Sequence, residues 1–145
     1  MSLHLIKLCV GIDSVRHLAE VQARRLEAAR LRGEPARLSH FTRNTPRQRQ
    51  ALLDGGFLYW VIRGFVRVRQ RLIAIEPAVN DQGVPRCALI YDPRHTRTEW
   101  RPHRPFQGWR YLKADDAPPD ARAGAGDADH LPTEMVIELR ELGLL

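Results

Sequence analysis

Cysteine is nearly absent from this chain of 145 residues: Cys9 and Cys87 are its only two. Both sit in strand-like apolar runs, where a free thiol packs as a small hydrophobe. A disulfide scaffold is therefore excluded. Lysine is almost as scarce, with Lys7 and Lys113 set against a large majority of arginine. No apolar run approaches the ~20 residues of a membrane span. The phosphate-cradling GxxxxGK[ST], the dinucleotide-binding GxGxxG, the GxSxG nucleophile elbow, HExxH and paired CxxC are all missing. Their absence excludes the function classes those motifs mark. The six histidines are scattered. A triad of Ser39, His40 and a distant carboxylate can be written, but no spacing singles it out. Nothing points to a metal ion or a cofactor. The opening MSLHLIKLCVGID has no basic stretch ahead of a long apolar one, and Lys7 interrupts the one candidate, so a cytoplasmic protein is expected.

What is present is enough for one domain. A hydrophobic content of 43% suits a globular chain of this length. The composition divides it into a single α+β domain over residues 1–113, a flexible linker over 114–130 rich in Pro, Ala, Gly and Asp, and a C-terminal helix within 131–145. Charge divides the same way. Residues 1–113 carry 21 Lys and Arg against 9 Asp and Glu, whereas 114–145 carry 2 against 8. A basic body of this kind invites RNA or another polyanion, and arginine suits bidentate phosphate contacts.

Hydrophobic periodicity gives a mixed order of elements. Residues 3–10 read as a buried strand ended by Gly11. Asp13 or Ser14 caps a helix over 15–31, with Val15, Leu18, Ala19, Gln22, Leu26 and Ala29 on one face and a Glu20–Arg24 pair on the other. Residues 37–43 are a short strand or a loop. Thr45-Pro46-Arg47-Gln48 has the chemistry of a helix start, and Gly55-Gly56 stops that short helix. Residues 57–62 form a strand and Arg63-Gly64 a tight turn or bulge. A long strand over 65–75 follows, with Val66, Val68, Leu72 and Ala74 on one face and Arg67, Arg69 and Arg71 on the other. Asn80–Gly83 is a hairpin loop, residues 87–91 a strand, and 98–100 a shorter one. Residues 102–113 look irregular. Thr133 caps a final amphipathic helix to Leu142.

Two features carry candidate chemistry. Strand spacing places Arg67, Arg69 and Arg71 about 7 Å apart in succession, near the spacing of backbone phosphates. Downstream, Trp100, Phe106, Trp109 and Tyr111 interleave with Arg101, His103, Arg104 and Arg110, a mixture that suits stacked bases and paired phosphates. Gln107-Gly108 lets the backbone turn between them. A solvated sheet face and an aromatic plug explain the same residues without a ligand.

The segments LHLIKLCVGID, GGFLYWVIRGFVRVRQRLIAIE, RCALIYDP and RPFQGWRYLKADDAP resemble the bacterial family catalogued as domain of unknown function 1489. The resemblance covers the chain to about Pro119 and implies a compact domain of this length. The order of elements further resembles PUA-like barrels, including the ASCH and EVE types, a likeness of pattern rather than of motif. The expected fold is thus α+β: a curved, mostly antiparallel sheet or small PUA-like barrel with two packed helices and a C-terminal helix. The ligand cleft is expected beside the helix before Gly55. Its candidate residues are Thr42, Arg43, Tyr59, Trp60, Arg69, Arg71, Arg104, Gln107, Trp109 and Arg110. The function expected is a nucleic-acid (RNA) binding module, holding a flipped or modified base. The alternatives are a small enzyme on a phosphorylated or anionic metabolite, with His40 or His103 as acid–base group, and a protein–protein adaptor.

Overall fold

The computed structural model describes residues 2–121 together with 134, 135, 137 and 138. The elements run β1 (Leu3–Leu8), α1 (Val15–Leu31), β2 (Leu38–Thr42), α2 (Arg49–Leu53), β3 (Phe57–Ile62), β4 (Phe65–Val79), β5 (Pro85–Tyr91), β6 (Thr96–Pro102) and β7 (Trp109–Lys113). One sheet orders the strands β2-β5-β4-β3-β1-β7, and β6 joins β4 beside that path. β1 and β3 are parallel, and every other pairing is antiparallel. The fold is α+β, as the sequence implied.

The barrel alternative does not hold, because the sheet stays open. It does curl: His40 of β2 packs edge-on against Trp60 of β3, ring centroids 5.7 Å apart, although β5 and β4 lie between them in the sheet. Closure fails because the chain leaves β2 at Thr42 and bends away toward α2. β7 therefore meets a loop instead of a ladder. Side chains span the gap: Trp109 Nε1 donates to the Asn44 carbonyl at 2.9 Å, and the Tyr111 hydroxyl accepts from the Gln48 amide at 3.1 Å.

The main core fills the concave face. Val15 and Leu18 of α1 and Leu52 of α2 pack there on Leu5, Leu58, Trp60, Val68, Leu72, Leu89 and Tyr91. Burying a side chain of this size stabilises by roughly 1.5–3 kcal/mol. Ser14 caps α1 by accepting from the His17 amide at 3.0 Å. Ala19 is exposed, and Glu20 pairs with Arg16 rather than Arg24. The short helix starts three residues later than its sequence signal, with Gln48 at the N-cap, so Thr45 and Pro46 lie outside it. Gly56 lets α2 approach β1, since an added Cβ would overlap the carbonyl oxygens of Leu52 and Leu3.

Strict alternation in β4 breaks twice. A register shift between Val66 and Val68 leaves Arg67 outside the ladder with β3, so Val66 packs on the convex face and Val68 on the concave one. A second shift between Leu72 and Ala74 exposes Ile73 and buries Ile75 in place of Ala74. Bulges of this kind flip the side-chain period beyond them. The convex face carries a smaller core of Ile6, Tyr59, Val61 and Val66 under Phe106, Leu112 and Ala117.

Residues 109–113, expected to be irregular, are a strand because they pair with β1. The first part of the expected linker, 114–121, is anchored: a 3-10 turn spans Ala114–Asp116, Glu99 donates to the Pro119 carbonyl, and Ala121 donates to that of Arg97. The rest of it, 122–130, lies outside the described residues. Of the expected C-terminal helix, Glu134, Met135, Ile137 and Glu138 are helical, and the remaining positions lie outside the described residues.

Candidate functional site

Where the curled sheet fails to close, a cavity of about 140 Å³ opens beneath α1. Its walls are the inward positions of four strands: Lys7 and Cys9 of the β1 strand and its end, His40 of β2, Trp60 of β3 and Tyr91 of β5. Leu18, Val21 and Arg25 of α1 form the roof. Period two along β1 puts Lys7 on the face of Leu5, which is fully buried, so a charged side chain continues an apolar stripe into the cavity.

A buried amide network fixes the floor. Gln70 is 0% exposed. Its Oε1 accepts from Trp60 Nε1 and from Gln22 Nε2, both at 2.9 Å. Its Nε2 donates to Gln22 Oε1 at 2.9 Å and to the Asp92 carbonyl at 3.0 Å. Every donor and acceptor of that amide is thus used. His95 Nε2 lies 2.8 Å from Gln22 Oε1 and extends the chain to β6. Trp60 is held by this bond and by edge contacts to His40 and Tyr91, so its ring is buried structure rather than a free stacking surface.

The electrostatics of the cavity are one-sided. No Asp or Glu lines it, and among the described residues neither Lys7 nor Arg25 has an ion-pair partner. Desolvation lowers the Lys7 ammonium below its usual pKa. Burial, then the fields of Lys7 and Arg25, push His40 down to about 4. Burial pushes the Cys9 thiol and the Tyr91 phenol each up to about 12. At neutral pH, His40, Cys9 and Tyr91 are all neutral, and the fixed charge is positive. Perturbed groups gathered in one cavity mark a candidate site. A thiol near 12 is a poor nucleophile and an imidazole near 4 a weak base, so the arrangement is better built to bind than to catalyse.

A larger groove of about 360 Å³ also has no acid in its lining, though its Arg63 pairs with Asp13, whereas two others differ in charge. One of about 600 Å³ sets Arg16 and Arg97 beside Asp120, and one of about 450 Å³ sets Arg32 beside Glu34. Their cations have acids at hand. Among the described residues no group of three or more His, Cys, Asp or Glu comes together as a metal ion would need. No described helix is long and apolar enough to cross a membrane.

The residues singled out from sequence separate into three places. Trp60 lines the cavity, while Thr42 and Trp109 meet at the Asn44 carbonyl on the seam beside it, with Arg43 exposed in the same loop. Tyr59 and Arg69 lie on the convex face. There Arg69 stacks on Phe57 at 3.8 Å and pairs with Asp120 at 3.0 Å. Arg71, Arg104, Gln107 and Arg110 are exposed, Arg110 on the opposite face from Trp109 and near the Phe106 ring. Lys7, Arg25 and Tyr91 escaped sequence reasoning, and His40 entered it as an acid–base group. The inward register of Lys7 was the available signal.

Fold and site together define the class: a small α+β protein with an open, curled sheet and a cationic cavity at its seam. Within that class, the chain belongs to the family described as "Protein of unknown function (DUF1489)", which matches residues 5–145. No curated protein and no solved structure matches it.

Proposed function

We propose that this chain is a cytoplasmic binding module for single-stranded RNA that grips its ligand at the seam. The observation that carries this reading is the pair of cations, Lys7 and Arg25, around a cavity with no carboxylate. Lys7 is partly desolvated with no acid in the cavity lining, a cost that a bound anion would offset, and Arg25 adds a second, solvent-facing cation at the rim. The loop with Arg43 and Arg47 adjoins the seam and extends the positive surface. An open version of a PUA-like barrel is the architecture we infer, a likeness that supports a nucleic-acid role by analogy alone.

The test is fluorescence anisotropy with a labelled single-stranded RNA 10-mer, titrated from 25 to 200 mM salt. Affinity is expected to fall linearly in log salt. Arg25→Ala is expected to weaken binding about tenfold, and the convex-side double variant Arg104→Ala/Arg110→Ala less than twofold. Unchanged binding by Arg25→Ala with loss in the double variant would move the ligand to the convex side. No binding at 25 mM salt would end the RNA reading.

A further inference from the structure

We propose that the seam cavity receives a phosphate monoester, held between Lys7 and Arg25 with the His40 imidazole as a third donor. The proposal rests on the RNA reading only for the source of that phosphate, a strand terminus. A free phosphorylated metabolite is the other source of the same group.

Three observations lead here. The first is size. A cavity of about 140 Å³ holds about five water volumes, room for one compact group such as a phosphate. The second is the aromatic floor. Trp60 is 3% exposed and edge-packed by His40 and Tyr91, so no ring face is free to stack a base. The third is charge. Two cations face the space and no acid does, which matches the charge of about −1.5 to −2 on a monoester at neutral pH better than the single charge of an internal diester. Lys7 brings a compact ammonium with three donors, and Arg25 a planar guanidinium fork.

The groups facing His40 are Lys7 and Cys9 from β1 and its end, Arg25 from α1 and Tyr91 from β5. Burial does most to hold the imidazole neutral, and the fields of Lys7 and Arg25 add to it. A bound dianion cancels their field and draws the His40 pKa upward, which gives a readout independent of affinity.

The experiment compares one single-stranded RNA 10-mer carrying a 5′-phosphate, a 3′-phosphate or hydroxyl ends only, in buffer free of phosphate and sulfate. Alongside, ring-proton NMR follows His40, assigned by the loss of its signal in His40→Gln, with uridine 5′-monophosphate and inorganic phosphate as small probes. One phosphate-ended strand is expected to bind at least tenfold tighter than the hydroxyl-ended one. The His40 pKa is expected to rise by at least one unit with that strand. Lys7→Met is expected to abolish both the preference and the His40 shift, and Arg25→Gln is the second variant should Lys7→Met not fold. Equal binding of all three strands with an unmoved His40 overturns the proposal and leaves the RNA reading standing. A His40 shift with the small probes and no binding of any strand upholds the phosphate site and overturns the RNA reading.

Discussion

The convex face of the sheet holds Arg69 between the Phe57 ring, the Tyr59 hydroxyl and the Asp120 carboxylate. The concave face holds Lys7 beside a cavity with no carboxylate. Both are strand cations, and the two strands are separated by β3 alone. Their surroundings decide what each can do. Elsewhere Arg67 lies over Trp100 at 3.5 Å, and Arg63 pairs with Asp13 and Glu134. A matched arginine is a strut. An unmatched, half-desolvated lysine is a receptor for something outside the chain. Arginine content by itself does not tell the two apart.

The sharpest way to break this contrast is to cut the network that shapes the cavity. Gln70→Ala takes the partner from Trp60 Nε1, Gln22 Nε2 and the Asp92 carbonyl, while Gln22 Oε1 keeps its contact with His95. Each orphaned buried group costs about 1–3 kcal/mol, so a total loss near 3 kcal/mol is expected in urea denaturation. A loss below 1 kcal/mol would mean that water takes the vacated place and that the floor is not rigid.

Next in size is the pH response of His40. Its folded pKa, about 4, lies below its unfolded value near 6.5, so the unfolded chain binds the proton more tightly. Stability is therefore full above pH 6.5 and declines as pH falls toward 4, by about 2–3 kcal/mol from this one group. Comparing His40→Gln with the parent chain from pH 7 to 4 isolates it: the parent should lose more. Parallel curves would show that the imidazole is better solvated than the cavity implies.

The convex ion pair is expected to matter less. Asp120 is half exposed and Arg69 about one-fifth. A double-mutant cycle with Arg69→Ala and Asp120→Asn should give a coupling below 1 kcal/mol, shrinking with salt. A coupling above 2 kcal/mol would make this pair a keystone and the convex face the better guarded of the two.

Much of this layout was legible beforehand, and the failures have physical causes. The α1 span and the β3 bounds follow from strong periodicity and were read correctly. The arginine ladder was not, because a bulge at Arg67 is set by two neighbouring strands and leaves no mark in local sequence. Residues 114–121 have linker composition yet are fixed by backbone bonds to β6 and by the Asp120–Arg69 pair, all tertiary. Trp109, a candidate for the ligand cleft, has its indole committed to spanning the seam. The cavity itself draws on β1, β2, β3, β5 and α1. Only Lys7, a lone charge in the inward register of an apolar strand, announced it.

Lys7 also supplies the smallest and most discriminating effect. Desolvation lowers its pKa below 10.5, so the folded state holds this proton less tightly than the unfolded one. The penalty is fully present at neutral pH and fades as pH rises through the folded and then the unfolded pKa. Replacing the side chain with an apolar one of similar length removes the penalty and keeps the packing. Lys7→Met should therefore match or exceed the parent in stability at pH 7, by up to about 1 kcal/mol, while losing its phosphate response. The gap should close near pH 10.5, where the parent's lysine also folds uncharged. Denaturant titrations at pH 7 and 10.5 measure both ends. A Lys7→Met variant that is less stable than the parent by more than 1 kcal/mol at pH 7 would mean that the ammonium already has a partner within the fold, and the concave face would then be as fully matched as the convex one.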